Sequence, residues 1–203
     1  MPPKTIFNRE DVINAAFELA KKSGFRDFTA RRIAEELSSS TAPVYSCFNS
    51  MDELREEVLI NAEKVALEYM MKTYTSSVFL NMGTGFVLFA QENRELFRIL
   101  ILESPETREL LTDFMKSLYS ELYRDELISQ LPEKQKKEVL RRMAVFSHGL
   151  ASLICVGFHQ DVSKNEAISI MYNMGKDIID IAFMKAGIKK DITAEPEGSA
   201  DKE

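Results

Sequence analysis

The side chains of this sequence that could do chemistry are few, and most of them are hydroxyls. They are densest in the run STAPVYS, residues 40–46, where Ser40, Thr41, Tyr45 and Ser46 alternate with Ala42, Pro43 and Val44. No oriented nucleophile set surrounds them. Their chemistry is hydrogen bonding to bases or phosphates, and the small residues among them permit close approach. His148 and His159 lie eleven positions apart, and neither has a Glu three residues before it. That is not the Glu-x-x-His spacing of a carboxylate-bridged metal bundle. Cys47 and Cys155 show no metal-type spacing and read as reduced thiols. No metal, no cofactor and no enzymatic activity are expected.

A hydroxyl-rich run of two helical turns needs a frame to hold it. Asn8 can cap a first helix in which Ile13, Ala16, Phe17 and Ala20 recur at helical spacing, with Gly24 at its end. Thr29 caps a short second helix with Ile33, Ala34 and Leu37 inward, and Ser40 caps the third. Residues 29–48 are then the size of a helix-turn-helix, whose second helix must enter a major groove about 12 Å wide. Val44 and Phe48, four apart, face inward. Thr41, Ala42, Tyr45 and Ser46 are left outside, and Pro43 falls in the first turn, where a missing N–H is tolerated.

Ser50 and Glu53 form a capping box that opens a long fourth helix. Beyond Ser76 five further helices are expected, with breaks near Asn93, Ser104-Pro105, Leu131-Pro132 and Asp161–Ser163. The fold class is all-α: a three-helix DNA-binding unit followed by a six-helix bundle. The expected domains are residues 1–50, residues 51–190, and a disordered acidic tail at 191–203.

The bulk numbers suit this reading. The chain has 203 residues, 45% hydrophobic and 29% charged, enough to bury a real core. The net charge of −6 argues against nucleic acid until it is divided. Residues 1–50 hold 7 Lys/Arg against 6 Asp/Glu, leaving 19 against 26 for the rest. There is no secretory h-region, and the longest apolar runs fall short of the ~20 residues needed to span a bilayer. A cytoplasmic protein with no membrane partner is expected.

Residues 9–54 resemble the DNA-binding domain of the tetracycline-repressor (TetR) family. The resemblance rests on Ala15-Ala16-Phe17, Gly24-Phe25, Phe28-Thr29, Ile33-Ala34, Ala42-Pro43-Val44-Tyr45, Phe48 and Asp52-Glu53-Leu54. It implies that Thr29 and Arg31 sit at the DNA backbone. It also implies that Ser40, Thr41, Ala42 and Ser46 approach base edges, with Pro43 in the same helix, and that the Tyr45 hydroxyl reaches a phosphate. Two positions depart from the family pattern: Ser38 stands where the turn usually has glycine, and Met51 where a lysine usually meets phosphate. That lost contact would have to be made up by Lys4, Arg9 or Arg26.

The later helices carry large soft side chains, and the resemblance implies an effector cavity among them. The candidates for its lining are Phe86, Phe89, Phe97, Phe114, Leu118, Tyr119, Tyr123 and Met143, walls suited to an apolar or aromatic molecule. The last two helices are apolar on two sides, which implies an isologous dimer. Its expected residues are Ser147, His148, Gly149, Ala151 and Ile154, with Ile170, Met174, Ile178 and Ile181. The expected function is a ligand-responsive, homodimeric transcription regulator, a repressor released from a pseudo-palindromic operator by an unknown small-molecule effector. The alternatives are a helical adaptor that has kept the fold without DNA binding and, more remotely, a helical-bundle enzyme.

Overall fold

A computed structural model describes residues 7–103, 123, 125–158 and 162–190. Phe114, Leu118, Tyr119, His159, Lys4 and the tail lie outside those residues. Every regular element among the described residues is helical, as expected. Two compact units emerge: Met1–Val65 with Asn93–Thr107, and Ala66–Glu92 with Arg108–Glu203. The first unit is therefore larger than the expected 1–50.

In the first unit, α1 (Arg9–Ser23) starts at Asn8, whose side chain accepts from the Asp11 N–H while the Asp11 carboxylate accepts from the Asn8 N–H. Gly24 ends the helix with φ 62°, its N–H donating to the Ala20 carbonyl at 2.8 Å. The buried stripe is Val12, Ala16, Leu19 and Ala20. It is rotated from the expected one, and Ile13 and Phe17 are only half-buried. α2 (Ala30–Glu36) contributes Ile33 and Ala34, α3 (Ala42–Cys47) contributes Val44, and α4 (Met51–Met70) contributes Leu54 and Val58.

A later segment completes this unit. α6 (Arg94–Phe97) runs into a π-helical turn, Arg98–Leu102, and α6 packs on α1. The segment comes close to Gly24: a Cβ there would lie 2.8 Å from Arg98 Nη2 and Glu95 Oε2, the ends of two flexible side chains, and 3.3 Å from Ile99 Cγ2. Leu96, Phe97, Ile99 and Leu100 are fully buried.

In the second unit, α5 (Val78–Glu92) is buried from Phe79 to Ala90, as an apolar-all-round helix must be. α8 (Glu133–Cys155) and α9 (Lys164–Ala186) pack on it and on each other. Gly83 of α5 faces the methyl ends of Met143 and Met171, and Gly175 of α9 faces Leu80. Asp125, buried, caps α7 (Glu126–Gln130) by accepting from the Leu127 and Ile128 N–H groups. Its other oxygen accepts from Ser77 Oγ at 2.7 Å and from the Phe79 N–H at 3.2 Å. One carboxylate thus joins the starts of two helices.

Candidate nucleic-acid interface

Between α2 and α3 the chain turns at Ser38, whose φ is 51°. The Ser38 N–H donates to Glu35 O at 3.0 Å and the Ser39 N–H to Ala34 O at 2.9 Å. These paired bonds close a helix through a residue in the left-handed region, a place that favours glycine. Ser38 is the one non-glycine residue with positive φ among the described residues. At this departure from the family pattern a serine therefore holds a backbone conformation that favours glycine.

α3 leaves this turn with Thr41 as its first flanking residue, making no side-chain cap bond. Ser40 takes up part of that role, its Oγ accepting from the Ala42 N–H at 3.4 Å. Val44 and Phe48, 1% and 4% exposed, seal the inner side against α1 and α2. On the opposite side Tyr45 is 67% exposed, and Ser40, Ala42 and Ser46 are exposed with it. Thr41 and Pro43 are half-exposed. Thr29 caps α2 by accepting from the Arg32 N–H, and Arg31 projects from the same helix with its side chain 87% exposed. α2 and α3 pack together and share one small core, so these positions belong to a single surface unit.

The electrostatics were not legible from charge totals. Arg9 pairs with Glu57 at 2.8 Å and Glu53 at 3.1 Å, and its guanidinium lies 4.5 Å above the Phe48 ring. Those two carboxylates raise its pKa, Glu57 most. The Asn49 N–H, and then Arg9, hold the Glu53 carboxyl below the usual carboxylate range. Glu53 spends itself on Asn49 and Arg9, so only the Ser50 half of the expected capping box forms, through Glu53 N–H to Ser50 Oγ at 3.1 Å. Arg26 pairs with Glu95 at 3.6 Å. Glu35 holds Arg31 at 3.4 Å and Arg32 at 2.9 Å. Two of the three cations expected to replace the missing lysine at Met51 are therefore already engaged with carboxylates of their own unit. Arg31 has the loosest of these grips after Arg26 and the greatest exposure.

Residues 12–58 match the family of bacterial regulatory proteins called the tetR family. This chain carries a tetR-family domain. Its matched segment is a domain of DNA-binding transcriptional regulators and ends within α4. A TetR-like transcriptional regulator from Rhodococcus sp. RHA1, known from its crystal structure, is 14% identical in sequence and superposes with a TM-score of 0.62. The match covers 83% of this chain and 93% of that one, which extends the family's fold beyond the matched domain. Among curated proteins no sequence matches.

The other expected site residues are placed as follows. Phe89 is fully buried, edge-on to Tyr69 at 6.0 Å between centroids, and the Phe86 ring stacks on His148 at 5.0 Å. Met143 is buried with its methyl near Gly83 and Gly175. The half-buried Tyr123 donates from its hydroxyl to Glu133 at 3.1 Å. Phe97 belongs to the core of the first unit, because α6 returns to α1, and so is not grouped with the other four.

Of the expected dimer residues, Ser147, Ala151, Ile154 and Ile178 are buried within the chain's own helices and offer no surface to a second copy. Only one side of each helix can face outward, and these four lie on the inner side. His148, Gly149 and Ile181 are exposed, and Ile170 and Met174 half-exposed. Sequence reasoning missed Val145, Leu153, Val156 and Met184, all large, apolar and exposed. The i, i+4, i+8 spacing of Val145, Gly149 and Leu153 was the available signal. No helix among the described residues is long and apolar enough to cross a membrane.

Proposed function

We propose that this TetR-family regulator is a cytoplasmic homodimeric repressor, released from a pseudo-palindromic operator by a small apolar or aromatic effector. The observation that carries the DNA-facing part is the two-sidedness of α3, with Val44 and Phe48 sealed inward and Ser40, Ala42, Tyr45 and Ser46 open to solvent. In this reading Ser40, Thr41, Ala42 and Ser46 approach base edges, with Pro43 in the first turn between them. Tyr45, Thr29 and Arg31 meet phosphates. Two copies would set their recognition helices one helical turn apart, about 34–36 Å.

Pairing of the copies is supported by the apolar residues left outside on α8 and α9: Val145, Leu153, Ile181 and Met184. The effector would lodge among Phe86, Phe89, Tyr123 and Met143, with Phe114, Leu118 and Tyr119 as further candidates. α4 contributes residues to both units and is the natural lever. A ligand that favours a different head spacing weakens DNA binding by the same factor by which DNA weakens ligand binding.

Gel shifts against duplex from the chain's own upstream region test this reading. Tyr45→Phe and Thr41→Ala should each lower affinity while circular dichroism and dimer mass stay unchanged. Undiminished binding by both variants refutes it. The intramolecular pairing of Arg9, Arg26, Arg31 and Arg32 favours one second reading, an adaptor without DNA binding. Absence of any salt-dependent shift would select it.

A further inference from the structure

From Ser38 to Met51 the chain contains no Lys, Arg, His, Asp, Glu or Gln. That is an unusual stretch to place against base pairs, because guanine is most often read by a bidentate Arg or Lys and adenine by Asn or Gln. The one amide in the stretch is Asn49, which is spoken for: its side-chain Nδ2 donates to Glu53 Oε2 at 3.2 Å, and its backbone N–H to the same oxygen at 2.9 Å. The nearest guanidiniums, Arg31 and Arg32, belong to α2 and are held by Glu35.

The hydroxyls are partly committed as well. Ser46 Oγ donates its proton to Pro43 O at 2.9 Å, Ser40 Oγ accepts from the Ala42 N–H, and Ser50 Oγ accepts from the Glu53 N–H. Apart from the Tyr45 hydroxyl, assigned to phosphate in the reading above, and the Thr41 hydroxyl, what remains unspent on the accessible side of α3 is apolar and small: the Thr41 and Ala42 methyl groups and the Pro43 ring. In the major groove the base feature that complements a methyl group is the C5-methyl of thymine.

We infer that this chain selects its operator by packing Thr41 and Ala42 against thymine methyl groups, and not by hydrogen-bonded readout of guanine. The inference rests on the DNA-binding reading above and adds to it the chemistry of the bases recognised. Thr41 is suited to the role because its side chain makes no cap bond, so its methyl and hydroxyl are both available. The surrounding hydroxyls and Arg31 then fix register on the backbone, which carries no sequence information.

The test starts from duplexes selected out of a random pool by the full-length protein. In the selected site, uracil replaces each thymine in turn, which removes only the methyl, and 7-deazaguanine replaces each guanine, which removes only the N7 acceptor. At one or two positions per half-site, uracil should weaken binding about fourfold, the value of one buried methyl-sized group. Deazaguanine should leave affinity unchanged throughout. Thr41→Ser, which keeps the hydroxyl, should lose the same factor on the thymine duplex and nothing further on the uracil duplex.

A loss of about tenfold with deazaguanine, as a bidentate contact would give, together with indifference to uracil, overturns the inference and leaves DNA binding intact. Salt-dependent binding with no enriched sequence also overturns it and also leaves DNA binding intact. Failure to retain any duplex sinks the regulator reading and this inference together.

Discussion

The two units of this chain solve opposite packing problems. The first builds its core from a few residues on each of α1, α2 and α3 and leaves most of those helices outside it. α3 buries only Val44 of its six residues and exposes Ala42, Tyr45 and Ser46, with Pro43 and Cys47 half-exposed. The second unit wraps one helix completely, so that α5 is buried from Phe79 to Ala90. In the first unit the polar residues not needed inside define the function. In the second, nearly every candidate residue is also a packing residue, and function and core share the same side chains. Surface chemistry is hence local and readable in the head, while in the body it depends on which helix covers which face.

The sharpest break of this comparison comes at Asp125. It is the second unit's buried anion, satisfied by two N–H groups of α7, the Phe79 N–H and the Ser77 hydroxyl. Asp125→Ala strips four donors of their acceptor and should destabilise the second unit by about 3 kcal/mol, read as a fall in the urea midpoint. A change below about 0.5 kcal/mol, the range of ordinary surface substitutions, would mean the body tolerates polar loss as the head does.

Next in size is Met51→Lys. It should restore one phosphate contact, steepening the plot of log affinity against log salt by roughly one unit. Affinity at low salt should rise several-fold in fluorescence anisotropy. An unchanged slope would place the start of α4 away from the duplex.

Ser38→Gly tests the turn. Removing the Cβ from a left-handed residue relieves about 1 kcal/mol of strain, partly offset by glycine's freedom in the unfolded chain. The expected result is a small rise in melting temperature with DNA affinity kept. A fall would show that the serine side chain contributes more than its backbone strain removes.

The smallest effect is a pH dependence in the second unit. Burial, then the nearby Glu92 charge, pushes the Tyr74 phenol from 10.0 up to about 12. A group whose folded pKa is raised contributes stability that is whole below pH 10 and lost between about 10 and 12, where the unfolded chain ionises first. Tyr74→Phe should flatten that part of the stability profile, and an unaltered profile would assign the alkaline loss to other groups.

Legibility differed between the units for the same reason. Caps at Asn8 and Thr29 and the stop at Gly24 depend on neighbours within four positions, and all are found where the sequence placed them. The tilt of the α1 stripe toward Val12 and Leu19 was misjudged because α6 covers that helix, and α6 comes from some seventy residues later in the chain. Phe97 was grouped with the effector lining for want of the same fact. The inner position of Ser147, Ala151, Ile154 and Ile178 follows from α5 lying beneath α8 and α9, which no periodicity along either helix can report.

By itself the sequence determined the helical class, the short-range caps, and the hydroxyl-rich, charge-free run that makes α3 suitable for a groove. These are properties of bonds and spacings within a few residues. Tertiary structure alone decided that Glu53 and Glu57 hold Arg9 and that Glu95 holds Arg26, which face of α8 and α9 is inside, and that Asp125 ties α7 to α5. Those outcomes are choices among partners distant along the chain, and burial and geometry select among them only when the whole chain has folded.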